Sequence, residues 1–439
     1  MKKSVRAICA VIIFFIFQIT FSSCTLSQNT EVVISKDMEQ KNQKTKLRFI
    51  SSWGGSDASA DTLQQVLNRF MESNPNIEII NESTFAEDFL HKLKTDFASG
   101  YNPDVFGLWP GSDIRALIKT GKVADLTRLL NEDLIWKASF KKGMWSYTTY
   151  EGRIYGLPLE IIYEGLFINK DLFDRYNVLV PTTYEELKQA IKIFKSNGII
   201  PIAYNSSAEG TYIYQNIAAM LGGKEAIEQP IISGQIHPCY IDAVKYVKEL
   251  YELGAFPRNA FTISSRDRNN LFLNKEAAMI VQGSWFIGNI RDNADTVDII
   301  PFPALAGERG GSSTLIFGLG CGNFHMSMTA WEDIRKKQAA EELLRTLTSR
   351  GTANLFARQT GMLVNIDIDE SRVEYSRLVK RSRELLNSSK ELVGPPDSFV
   401  DRSIWEGDIV KRFPNMLEGA VSPQEVWDLA LKRRDSHDK

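Results

Sequence analysis

With 439 residues, 43% of them apolar and 24% charged, the chain is too long for one hydrophobic core and has an ordinary globular composition, so two domains are expected. Its formal charge is −2, and a weakly acidic surface lacks the basic footprint that a nucleic-acid partner requires. Only four cysteines and four histidines are present, in no CxxC or HExxH pattern, which argues against a metal site or other resident cofactor.

The first 24 residues read as a leader. Lys2, Lys3 and Arg6 form a positive n-region, and AICAVIIFFIFQITF is an apolar stretch of signal-peptide length, shorter than a membrane span. Without those three basic residues the balance is 49 basic against 54 acidic, a net of −5. FSSC places Cys24 after two small residues and resembles the lipobox at which bacterial lipoproteins are cleaved and acylated, with Phe21 where Leu is usual. A plain signal peptide and an uncleaved anchor are the alternatives; all three put the folded part outside the membrane. Residues 25–46 are rich in Gln, Asn, Ser, Thr and Lys without an apolar period, the composition of a flexible tether.

KLRFISSWG reads as a strand running into a Ser/Gly loop, followed by a helix over Ser59–Asn74 with Leu63, Val66, Leu67 and Phe70 on one face. NIEII is a second strand, so Trp53 falls past a strand end, where open α/β sheets bind ligands. A helix over Phe85–Ser99 stops at Gly100, and PDVFGLW is a third strand with Trp109 just beyond it. The stretch Glu151–Phe173, EGRIYGLPLEIIYEGLFINKDLF, combines a turn, two apolar runs broken by Pro158 and the polar insert Tyr163–Glu164, which marks passage from one α/β unit to another. PTTYEELKQAIKIFKSNG is a Thr-capped helix ended by Gly198, and IIPIAYNSS a buried strand. Helices are expected over Thr211–Leu221, Ile241–Leu253 and Trp331–Thr348, with strands at EAAMIVQGSW and VDIIPFPA. GGSSTLIFGLGCGNF suits tight chain crossings, and the C-terminal part, with Trp405 and Trp427, is helical and charged. Cys239 and Cys321 are expected as two separate buried thiols, although an extracytoplasmic setting permits a disulfide.

Four segments carry a resemblance to the extracellular solute-binding protein family 1 of bacterial ABC importers, which includes maltose-binding protein. They are ASGYNPDVFGLWPGSDIRALIKTGKVADLT, GRIYGLPLEIIYEGLFINKDLFDRYNVLVPTTYEELKQA, NKEAAMIVQGSW and AAEELLRTLTSRGTANLFARQTGMLV, spread over nearly the whole mature chain in the family's order. The resemblance implies a two-lobed α/β fold of the periplasmic-binding-protein type II, with discontinuous lobes joined by a multi-strand hinge. It implies crossings near Leu159–Ile162, Phe317–Gly320 and Leu363–Asp369, giving lobe one as 46–160 plus 318–365 and lobe two as 161–317 plus 366–439. It also implies a sugar or oligosaccharide ligand, a membrane permease as partner, a monomer, and attachment to the extracytoplasmic face of the cell membrane.

A sugar needs flat rings for its CH faces and polar groups around its hydroxyl rim. The candidates are Trp53, Trp109 and Trp285 as stacking faces, Tyr163 and Glu164 on the cleft floor, and Phe317 beside the Gly-rich crossing. Trp405 and the rim donors Asn205 and Ser206 complete the set; plugging of the core is the alternative for each tryptophan. Glu87 and Asp88 suit the N-terminus of their helix, and His91 and the terminal LKRRDSHDK suit solvated surface. A glycan-acting enzyme is one rival function, but it needs a carboxyl pair flanking one bond, which no spacing here demands. A ligand-presenting sensor for a membrane receptor is the other.

Overall fold

A computed structural model describes residues 44–290, 295–306 and 314–437, and it has two α/β lobes. The first lobe is built on a five-stranded sheet in the order Ile77–Asn81, Thr45–Ile50, Val105–Gly107, Asn323–Met326, Leu157–Pro158. The first three strands are mutually parallel and the last two each run antiparallel to their neighbour. Helices Ala60–Ser73, Ile334–Leu347 and Arg350–Thr360 bury Leu63, Leu67, Leu343, Leu344 and Phe356 in this lobe's core.

The second lobe is organised on the strand Glu160–Asn169, whose ten residues are all buried. On one edge it pairs with Ala277–Gly283 and, at its start, with Leu363–Val364; on the other with Val297–Ile300 and Thr314–Leu319. Gly165 is required there, because a Cβ would lie 2.8 Å from Ile299. The helix Tyr184–Ser196 begins with a full capping box from Thr183 and Glu186, as TTYEE signals. Helices Tyr212–Glu228 and Pro238–Leu253 pack Tyr214, Ile217, Tyr240 and Val244 against the C-terminal helices.

The chain passes between the sheets three times. Leu159 separates Leu157–Pro158 of one sheet from Glu160–Asn169 of the other, and Gly320–Gly322 separate Thr314–Leu319 from Asn323–Met326. The third passage begins at Leu363–Val364, and Asn365 N–H donates to Leu159 O at 2.7 Å. Beyond it, Ile366 and Val373 still pack in the first lobe's core, and the chain rejoins the second sheet with the helix Arg377–Ser388.

Two element boundaries differ from the sequence expectation. The helix expected over Trp331–Thr348 is broken at Asp333, whose carboxylate accepts from the N–H groups of Arg335 (2.9 Å) and Lys336 (3.1 Å) and so starts a new helix. The helix expected to end near Leu221 runs to Glu228 across a kink at Gly223, whose φ of 68° only glycine adopts readily. Cys239 and Cys321 are both buried and unpaired. No helix among the described residues is long and apolar enough to cross a membrane. Cys24 and the side chain of Glu87 lie outside the described residues, while His91 and Asp88 are exposed.

Candidate functional site

Between the lobes lies a cavity of about 180 Å³ walled by residues from both sheets and from the crossings. The first lobe contributes Trp53 and Asp57 from the loop after its first strand, and Trp109 from the end of Val105–Gly107. The second contributes Tyr212 at the start of its helix, Glu209, Trp285 just past Ala277–Gly283, and Asp397, Arg402 and Glu406 from the C-terminal segment. Glu160, Ile162 and Glu164 form the floor.

The floor follows from strand geometry. Successive side chains of Glu160–Asn169 point to opposite faces, so Glu160, Ile162 and Glu164 share one face and Ile161 and Tyr163 the other. Tyr163 and Glu164 therefore cannot both face the cavity, and Tyr163 instead packs with Phe317, its partner in register, and Leu378. Glu160 is the residue that belongs beside Glu164, and the period of two in EIIYEG carries that signal.

The second crossing shapes the same region. Gly322 lets Trp53 and Glu160 come together: a Cβ there would lie 2.6 Å from Glu160 Cβ and 2.7 Å from the Trp53 ring. Gly322→Ala is expected to push these groups apart and to lower stability by about 1–3 kcal/mol, measured by chemical denaturation.

Burial controls the charges. The Glu160 carboxyl, 4% exposed, is pushed up to about 8, chiefly by loss of water, with the negative Asp57 adding to the rise and the Gly322 N–H at 3.0 Å opposing it. Asp57 is raised to about 7 by the same desolvation, against a hydrogen bond from Ser59 N–H at 2.8 Å. Glu164 lies well above the usual carboxylate range through desolvation and the negative Asp397; the Asn216 amide, at 2.8 Å, pulls the other way. Arg402 joins the lobes: its guanidinium meets Asp113 of the first lobe at 2.9 Å, and Glu406 at 3.4 Å and Asp397 at 3.5 Å in the second. It also lies 5.4 Å from the Trp109 ring centre.

Of the eight expected ligand contacts, Trp53, Trp109, Glu164 and Trp285 line the cavity. Trp53 does so with one edge only, since it is 3% exposed and packs on Phe356 (4.8 Å) and Phe324 (5.6 Å). Trp285 folds back over Gly283 and stands 5.8 Å from Tyr212. The other four do not line it. Tyr163 and Phe317 are turned to the far face of their strands, for the reason given above. Trp405 is fully buried, stacked 5.8 Å from Tyr214 and tilted against Trp427 at 6.4 Å. Asn205 is spent on local structure: its amide donates to Ile263 O (3.3 Å), and its oxygen accepts from Ser207 (3.1 Å). Ser206 does not line the cavity, and its backbone N–H donates to Ala260 O at 2.9 Å. Asp57, Tyr212, Asp397 and Arg402 carry no sequence signal that separates them from ordinary surface residues, because only the packing of the two lobes brings them together.

Comparison with known proteins agrees with this architecture. Residues 54–354 match the family described as bacterial extracellular solute-binding protein. The chain is 24% identical over 328 residues to the multiple sugar-binding protein of Streptococcus mutans, covering 72% of this chain and 74% of that one. It is 24% identical over 297 residues to the maltotriose-binding protein of Pyrococcus abyssi, covering 65% and 61%. Among solved structures, a chitin oligosaccharide binding protein superposes with a TM-score of 0.77 at 22% identity, covering 89% of this chain and 98% of that one. A maltose/maltodextrin-binding domain from Bdellovibrio bacteriovorus superposes at 0.71 with 17% identity, covering 89% and 100%. With the match spanning more than half of the sequence, the chain belongs to the bacterial extracellular solute-binding protein family.

Proposed function

We propose that this protein is the carbohydrate-binding component of an ABC import system, lipid-anchored through Cys24 on the extracytoplasmic face, and that it performs no chemistry on its ligand. The observation that carries the reading is the inter-lobe cavity in which Trp53, Trp109, Tyr212 and Trp285 surround the carboxyls of Glu160 and Glu164. Aromatic faces match the apolar faces of a sugar ring, and carboxylates are strong acceptors for its hydroxyls. The names of the sugar-binding relatives support the ligand class. Lobe one then comprises 46–160 plus 318–365 and lobe two 161–317 plus 366–439, although Ile366 and Val373 pack on the core of lobe one. The closed lobes present the ligand to a membrane permease.

The test is a thermal-shift screen of the mature domain against mono- and oligosaccharides, since a ligand that binds only the folded state raises the melting temperature by mass action. A shift with an amino acid or peptide and with no carbohydrate overturns the assignment, as does hydrolysis of an oligosaccharide that a single carboxyl substitution abolishes. Trp109→Ala and Trp285→Ala are each expected to weaken sugar binding by about 1–3 kcal/mol, the scale of a lost buried aromatic contact, read by titration calorimetry.

A further inference from the structure

Behind the wall that the second lobe gives to the cavity stands an arginine that does not itself line it. Arg268 is 1% exposed and shares the buried face of the helix Ser265–Leu273 with Ser265 and Phe272, where helical spacing calls for an apolar side chain. Its guanidinium donates to the Glu209 carboxylate at 2.7 Å and to Asn269 Oδ1 at 3.1 Å. Gln282, also fully buried, donates to the same Glu209 oxygen at 3.2 Å and to Asn269 Oδ1 at 3.3 Å. Of these four side chains Glu209 is the one that lines the cavity, three residues before Tyr212.

The turn that carries Glu209 is tied to the same helix. A Cβ on Gly210 would lie 1.7 Å from Asn205 O, so glycine is required for the turn Glu209–Thr211 to close on the strand end. Ser207 Oγ lies 3.1 Å from Asn205 Oδ1 and 3.1 Å from Ser265 Oγ, which joins turn and helix. Stability alone does not account for the arginine, because replacing a buried ion pair by apolar side chains of like volume is commonly neutral or stabilising. What the pair supplies is a carboxylate of set direction and charge at the cavity wall. The other lining carboxyls differ: burial leaves Glu160 and Glu164 protonated at neutral pH, and Asp397 and Glu406 divide Arg402 with Asp113. An ionised acceptor makes the stronger bond to a hydroxyl.

We propose that Arg268 is a positioning residue for ligand binding: it touches no ligand, and together with Gln282 it holds Glu209 ionised and oriented to accept hydroxyls of the bound sugar. This rests on the carbohydrate reading and deepens it by naming the ionised acceptor and the group that sets it.

The test is a double-mutant cycle on affinity. Maltotriose, N,N′-diacetylchitobiose, raffinose and the other saccharides of the thermal-shift screen are titrated calorimetrically into the mature protein at pH 7, and the tightest binder is used throughout. Glu209→Gln is expected to weaken it about tenfold or more. Arg268→Lys keeps the charge but not the planar fork that reaches Glu209 and Asn269 together, and is expected to weaken it at least threefold, its melting curve showing that it is folded. In the Glu209→Gln background Arg268→Lys is expected to change affinity less than twofold, since it acts through Glu209. Gln282→Leu, which removes the other donor to the same oxygen, runs the same cycle where Arg268→Lys does not fold. An Arg268→Lys or Gln282→Leu protein that melts lower yet binds as the parent does overturns the inference and leaves the carbohydrate reading standing. Full affinity in Glu209→Gln, or an equal loss from Arg268→Lys with and without Glu209→Gln, does the same. Absence of binding by any saccharide overturns both readings.

Discussion

Raising the pH from 7 to 8.5 lowers the unfolding free energy of the protein, with Glu160 and Asp57 together contributing about 2 kcal/mol and Glu164 adding to the fall, and Glu160→Gln makes the fall shallower. The magnitude follows from about 1.4 kcal/mol for each unit of pKa difference between folded and unfolded states. Glu160 is held at about 8 and Asp57 at about 7 in the folded protein, against 4.5 and 3.8 when exposed. Between the unfolded and folded values the folded state binds more protons than the unfolded chain, so stability declines as the pH rises through this range and is fully present below it. His325 acts in the opposite direction. Loss of water lowers it to about 4 although the carbonyls of Tyr155 (2.7 Å) and Leu108 (3.2 Å) favour its charged form, so its term grows as the pH rises from 4 to 6.5 and is nearly complete by pH 7. The window above pH 7 therefore isolates the cavity carboxyls. Denaturant titrations at the two pH values check the sign: a level or rising unfolding free energy, or a Glu160→Gln variant that falls as steeply as the parent, would falsify the ionisation argument.

Trp405→Ala costs about 3–5 kcal/mol of stability, the range for removing a fully buried large aromatic ring. Its indole is stacked on Tyr214 and lies beside Trp427 within the core of the second lobe, so truncation opens a cavity where helices meet. Trp405→Phe keeps a ring in that space and is expected to leave ligand affinity within about twofold while costing part of the stability. The two outcomes separate core packing from ligand contact. A Trp405→Phe protein with unaltered melting and a large loss of affinity would return this residue to the binding site.

The contrast between the tryptophans shows where sequence reasoning stops. Trp109 and Trp285 follow strand ends, and position relative to a strand is a local property that the alternation of apolar residues reveals. Trp405 lies in an irregular helical turn next to Arg402 and Glu406, which do reach the cavity. Which side of a helix faces a cleft depends on what packs behind it, and no periodicity in SIWEGDIV contains that information. Tyr163 and Glu164 show a different failure, since a strict period of two was available and selects Glu164 with Glu160 over Glu164 with Tyr163.

The sequence by itself determined the two α/β units, the strands and capped helices, the glycine-rich crossings and the family, because each rests on short-range pattern or on motifs of contiguous residues. Only the tertiary structure decided the electrostatics of the cavity. Asp57, Glu160, Glu164 and Asp397 are separated by up to several hundred positions and become neighbours only when the three crossings bring the lobes together. Carboxyls that would each be unremarkable in water are there stripped of solvent against aromatic walls, and their raised ionisation is a property of the assembled cleft.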